Sequence, residues 1–270
     1  MIYLRFCFLV CGTLVGLGCM GSSSTHAGIF SFFSRSNSPQ NLEQANAAAC
    51  IPIQQLHPSV RQKVAQVLGS PTLYSNGPSE TFICQPKLYY WLMDNPDRTM
   101  VAWERLGAQC LQIQPRGNGH YSWADDKGSD VRWHTIYLSP TMRVWYAEGK
   151  VKPTALLPML PVKCVVMMRY DTLQKDGNKA LLQHQADVFV HTDSRAAKVV
   201  ARLLGPSMPE MAKQGVAQLQ MFYAAMAWYC AKNPEHAQEL LRVKATPQSE
   251  VVPVQMKTGE HTISPYASRK

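Results

Sequence analysis

Nowhere in the 270 residues do two cysteines form a CxxC pair, and neither HExxH nor GxSxG occurs. Those absences exclude a thioredoxin-type or zinc-ribbon site, a zincin and a hydrolase nucleophile elbow. Charge is sparse as well. Charged residues are 17% of the chain, and the 18 acidic ones are outnumbered by 27 Lys and Arg, for a formal net charge of +9. The basic residues are scattered, and no RNA- or DNA-binding motif accompanies them, so nucleic acid is not an expected partner. Such a basic surface is either simply solvated or drawn to an anionic membrane or envelope face. No pattern calls for a metal or a cofactor.

Apolar runs of membrane-spanning length are missing too. The run FCFLVCGTLVGLG within Met1–Gly18 follows a single positive charge, Arg5. It is too short and too broken by glycine for a span, and reads as the apolar core of a secretory leader. Thr25-x-Ala27 offers a small-residue cleavage site, while Cys19 opens a second route, processing as a lipoprotein. The chain is therefore expected to be exported, to the periplasm, the exterior or the envelope, with residues 1–27 as its signal peptide. Residues 28–56, rich in Ser, Asn, Gln and Ala, read as a linker. Residues 57–243 suit one α+β domain, and 244–270 a disordered tail.

The chain has 8 cysteines. Cys7, Cys11 and Cys19 fall in the leader. Cys164 and Cys230 stand in apolar runs and read as buried thiols. One bridge among Cys50, Cys84 and Cys110 would suit an oxidising compartment, but the spacing assigns no pair.

Local patterns order the rest. Pro58–Leu68 is an expected helix, with proline at its first position, Val60, Val64, Val67 and Leu68 at helical spacing, and Gly69 after it. Leu73–Cys84 is an expected strand broken at Asn76-Gly77-Pro78. Lys87–Gly107 reads as two helices, the first with a Leu88, Trp91 and Leu92 stripe. The second is capped by Asn95, begins at Pro96, and has Val101, Trp103 and Leu106 as its apolar positions. Six strands follow: Ala108–Gln114, Gly119–Asp125, Val131–Leu138, Met142–Val151, Val162–Leu173 and Lys179–Thr192. The short turns between them force an antiparallel meander. A helix at Ser194–Leu204 and a long one at Met208–Ala231 come next. Met211, Val216, Leu219, Phe222, Tyr223, Met226 and Tyr229 share one broad face of the long helix, and Trp228 lies close to it. That face is too apolar to stand in water. The expected fold is α+β, a curved antiparallel sheet of six to seven strands gripping the long C-terminal helix.

This order of elements, together with segments such as Leu88–Gly107, resembles the helix-grip fold of the START-like superfamily, which includes StAR-related lipid-transfer and polyketide-cyclase-like proteins. The Ser194–Leu204 helix departs from that pattern. The resemblance implies a cavity between sheet and helix and a hydrophobic, lipid-like ligand. It also implies that the apolar loop in Lys152–Pro161 borders the cavity mouth. Trp133, Tyr146, Met168, Leu157, Leu160, Phe222 and Met226 are the residues expected to line the site.

Candidate chemistry is thin beside this. Strand alternation sets Asp187, Phe189, His191 and Asp193 on one face, where a carboxylate beside imidazole could orient a general base. The simpler reading is a solvated outer face of a strand that ends at a helix cap. Glu148, beyond Val144 and Tyr146, would sit either at a cavity wall or in a rim ion pair with Arg143 or Lys150. His191, Asp187 and Glu148 are thus the residues of a rival reading, a cyclase or hydrolase acting in the same pocket. Asp125, Asp126 and Asp130 are accounted for by turn chemistry. An envelope interaction protein with a filled core is the third reading.

Overall fold

The structure, a computed structural model, describes residues 39–152, 159–193 and 208–242. Eight antiparallel strands form one curved, unclosed sheet. They are β1 (Leu73–Asn76), β2 (Glu80–Cys84), β3 (Ile113–Gly117), β4 (His120–Ala124), β5 (Asp130–Ser139), β6 (Met142–Val151), β7 (Leu160–Asp176) and β8 (Lys179–His191). From β3 to β8 the chain is a plain meander; β1 and β2 then both pair with β8, so together they make one broken edge. The break falls at Gly77-Pro78, where proline can donate nothing to a ladder. The helix-grip expectation holds, with eight strands rather than six or seven.

The helices are α1 (Pro39–Ala49), α2 (Pro58–Gly69), α3 (Pro86–Asp94), α4 (Pro96–Arg105), α5 (Met208–Lys232) and α6 (Pro234–Leu241). The 25-residue α5 packs on the inner face of the sheet. Val216, Leu219, Phe222, Tyr223 and Met226 meet Trp123, Trp133, Trp145, Met168 and Val188 there. Helices α3 and α4 join this layer through Tyr89, Leu92, Met93 and Met100. Two polar ties hold the helices in place: Trp103 Nε1 donates to Phe222 O at 2.9 Å, and Arg105 donates to the last carbonyls of α6, Glu239 O, Leu240 O and Arg242 O. A cation at a helix C-terminus also meets the negative end of its dipole.

Residues 39–56 are not a linker. They form α1 and a 3-10 turn at Ile53–Gln55, and Ala47, Ile51 and Leu56 are buried against the outer face of the sheet. With α2 they cover Tyr74, Val144, Tyr146, Val165, Met167 and Phe189. The alanines and glutamines that resemble a spacer are also good helix formers, and few apolar residues suffice because the sheet supplies the rest of that core. Around β6, β7 and β8 both faces of the sheet are therefore buried under helices, while the outer side of β3 and β4 is mostly exposed.

Other expectations shift in detail. Strand β3 starts at Ile113, not Ala108; Cys110 and Leu111 pack on the inner core from the preceding loop. The buried faces of α3 and α4 are Tyr89, Leu92, Met93 and Thr99, Met100, Ala102, whereas Val101 is exposed. Thr99 can be buried because its hydroxyl donates to Leu92 O and Asn95 O. Asn95 is not a side-chain cap of α4; its amide donates back to Trp91 O. Trp228, expected near the buried face of α5, is 46% exposed. A bulge between Thr135 and Tyr137 moves Tyr137 off the face of Trp133 and opposite Val144. The helix expected at Ser194–Leu204 lies outside the described residues. Among the described residues Cys50, Cys84, Cys110 and Cys230 are free thiols, with Cys50 exposed beyond α1 and Cys84 buried in the inner layer.

At Gly149 the sheet tolerates no side chain. A Cβ there would lie 2.1 Å from Asp130 O and 2.7 Å from Val131 Cα, both backbone atoms of the neighbouring strand. Gly149→Ala is expected to cost about 1–3 kcal/mol, as overpacking does. Urea denaturation checks this, and an unchanged midpoint would refute it.

Candidate functional site

The inner layer is apolar and aromatic, but polar side chains are set deep inside it. Strand β8 points Ala186, Val188 and Val190 inward, and the same alternation carries His184 there. Tyr89 of α3 lies 2.7 Å through its hydroxyl from His184 Nδ1, and His184 Nε2 lies 3.1 Å from Glu80 Oε2. A carboxylate only accepts, so in the neutral ring Nε2 carries the proton and Nδ1 accepts from the phenol. Tyr89 and His184 are buried, while Glu80 reaches the surface. Burial holds the Tyr89 phenol well above its ordinary pKa. Each member of this chain already has its partner.

Arg143 is the second deep group. On β6 it shares the inward face with Trp145, and its side chain is 1% exposed. Nη1 stands 2.7 Å from Asp94 Oδ1 at the end of α3. That contact lacks the alignment of a hydrogen bond, and among the described residues Nε makes none. Tyr170 donates its hydroxyl proton to Ser139 O at 3.0 Å. Burial pushes the Tyr170 phenol up to about 12, against the opposing pull of Arg143. Tyr223, wholly buried, is raised further by the same cause, again opposed by Arg143. Gln220 of α5 is the third polar group: Oε1 accepts from Ala186 N and Nε2 donates to Pro78 O, latching α5 to β8 and to the break between β1 and β2.

The residues expected to line a site divide between the two layers. Trp133, Met168, Phe222 and Met226 come together in the inner one. Tyr146 belongs to the outer one, under α2, because alternation on β6 sends it opposite to Trp145. Leu160 opens β7, buried and paired with Val151. Leu157 lies outside the described residues.

The expected catalytic residues do not meet. Asp187, His191 and Glu148 all face the outer layer, away from α5. Asp187 is buried, accepting from Tyr74 Oη at 2.8 Å and from Arg169 Nη2 at 2.9 Å. His191 stands four residues along the strand, about 13 Å away, and its Nδ1 donates to Ser70 O at 2.7 Å. The outer face is thus covered rather than solvated, and no Asp187–His191 dyad exists. Glu148 pairs neither with Arg143 nor with Lys150; Lys63 of α2 donates to both of its oxygens, at 2.8 and 3.0 Å, and Tyr146 to one, at 2.9 Å. Asp125 holds its own turn, Oδ1 accepting from Lys127 N and Ser129 N. Among the described residues, no group of three or more His, Cys, Asp and Glu is placed to hold a metal.

Two outer-layer groups make stability pH-dependent. Burial alone would raise Glu148, but the hydrogen bonds from Lys63 and Tyr146 outweigh it and hold the carboxyl below its ordinary value. His134 stacks on His120 with ring centroids 4.5 Å apart. Burial first, then His120, pushes His134 below its ordinary value. Both groups bind protons more readily in the unfolded chain. Stability therefore falls on acidification, from about pH 6.5 downward for His134 and about 4.3 downward for Glu148. His134→Gln is expected to flatten the decline between neutrality and mild acid. Thermal melts across that range check this; an identical decline would count against it.

No family model matches the chain, and no curated protein matches it. Solved structures do. A conserved protein from Geobacillus kaustophilus aligns at 11% identity and a TM-score of 0.37, covering 57% of this chain and 96% of that one. A hypothetical protein from Helicobacter pylori aligns at 11% identity and a TM-score of 0.34, covering 59% and 90%. Norcoclaurine synthase from Thalictrum flavum aligns at 7% identity and a TM-score of 0.28, covering 55% and 87%. With scores and identities this low, none of these likenesses bears on what the chain binds.

Proposed function

We propose that the chain is an exported binding protein for a hydrophobic, lipid-like small molecule seated between the inner face of the sheet and α5. The observation that carries this reading is the make-up of the inner layer. Trp, Tyr, Phe and Met side chains surround a few fixed polar groups, Arg143 and His184 foremost. Ligand sites combine an apolar lining with sparse, well-placed polar groups in this way. A buried guanidinium is costly to desolvate and adds little stability to a core, which supports a role for it in binding. Admission of a ligand then requires α5 to lift from the sheet.

The interaction-protein reading has its own support. Trp133, Met168, Phe222 and Met226 are 4, 0, 2 and 0% exposed, and Trp145 stacks on Tyr223 at 6.3 Å. Such close packing suits a filled core. A cyclase or hydrolase built on Asp187, His191 and Glu148 is not proposed, because those residues lie in the other layer.

Native mass spectrometry of protein purified from its own host decides between the two. A bound hydrophobic molecule, and a chain shortened by residues 1–27 or lipidated at Cys19, are the expected results. A ligand-free mass together with no saturable uptake of a fluorescent fatty acid would overturn the binding reading.

A further inference from the structure

Arg143 is oddly served for a buried cation. The one carboxylate paired with it among the described residues, Asp94, is 53% exposed and ends α3, where the negative end of the helix dipole disfavours an anion. Asp94 can therefore turn out to water at little cost. The guanidinium has no such freedom: it is enclosed by the inner layer, with its carbon 5.9 Å from the centroid of the Trp145 ring. The Tyr170 side chain is hydrogen-bonded to the guanidinium, but among the described residues the Arg143 Nε has no acceptor. An unmade hydrogen bond from a buried charged donor is costly, and an acceptor arriving there would remove that cost.

We infer that the molecule bound between sheet and α5 carries a carboxylate-like monoanionic head that seats on Arg143 and displaces Asp94, an inference that rests on the binding reading above. The planar guanidinium fork matches a carboxylate through two parallel N–H donors, and the open Nε with an Nη supplies that pair. With Asp94 turned to solvent, one positive charge remains, which suits a monoanion better than a dianionic phosphate. The surrounding phenol and indole rings exclude water, and this strengthens the pairing. The apolar tail would run along Trp133 and Phe222, in the same cluster.

The test titrates the full chain with dansylaminoundecanoic acid and with its methyl ester, following dansyl fluorescence. The acid is expected to bind about tenfold more tightly than the ester, the scale of one charge-assisted hydrogen-bonded contact. In Arg143→Met the preference should collapse to about one. In Asp94→Asn the acid should bind more tightly than to the parent chain and raise the melting temperature more, while the ester is unaffected. Equal binding of acid and ester to the parent chain overturns the anionic head and leaves the binding reading standing. Binding of neither overturns both. Should Arg143→Met fail to fold, Asp94→Asn decides: acid affinity unchanged or weakened there refutes the inference.

Discussion

Phe222→Ala is expected to remove about 3–5 kcal/mol of stability, the cost of truncating a buried aromatic side chain. Phe222 is 2% exposed at the middle of α5, with Tyr223 packed against it edge-on at 4.9 Å. Its neighbour Met221 is 37% exposed, so Met221→Ala should change stability by no more than about 0.5 kcal/mol. Urea denaturation of the pair reads the contrast directly. Equal effects would mean that α5 does not lie on the sheet as described, and every inner-layer assignment would go with it.

Asp187→Ala is expected to cost about 3 kcal/mol, the low end for breaking a buried ion pair. The low end applies because Arg169 is 39% exposed and also donates to Gln185, so it is only partly stranded. Tyr74→Phe should cost about 1 kcal/mol. The double change should cost less than the sum, since both remove the same hydrogen bond. His191→Gln, at a partly exposed strand end, should stay within about 0.5 kcal/mol. Chemical denaturation of the four proteins tests the cluster, and a strictly additive double would dissolve it. If instead His191→Gln proved as costly as Asp187→Ala, the two residues would share a role that their separation denies them.

Alternation and turn chemistry made most of the sheet legible in the sequence: β6 begins and ends where its residues suggest, and the Gly77-Pro78 break was marked by proline. Parity also sorted Val188 from Phe189. What it could not say was that both of those faces would be buried, because α1 carries too few apolar residues to announce itself. Tyr146 was misplaced for that reason, being apolar and strand-borne but under α2. Arg143 and His184 share parity with Trp145 and Ala186, which the structure places in the inner layer, but reading Tyr146 as a lining residue sends Arg143 to the opposite face. Charge and polarity argued for the surface, and only the packing of α3 and α5 over them reverses that. The bulge before Tyr137 had no signal in the sequence.

An open sheet has two free margins where a further strand, from a peptide or a second copy, could add its hydrogen bonds. Here neither margin invites it. On one side, β3 contains Pro115, which has no N–H to offer, and its register slips before Gly117. On the other, the margin is cut in two at Gly77-Pro78, with Gln220 already occupying the Pro78 carbonyl. Molecules of this chain can therefore be held close together, at high local concentration, without zipping into a continuous ribbon.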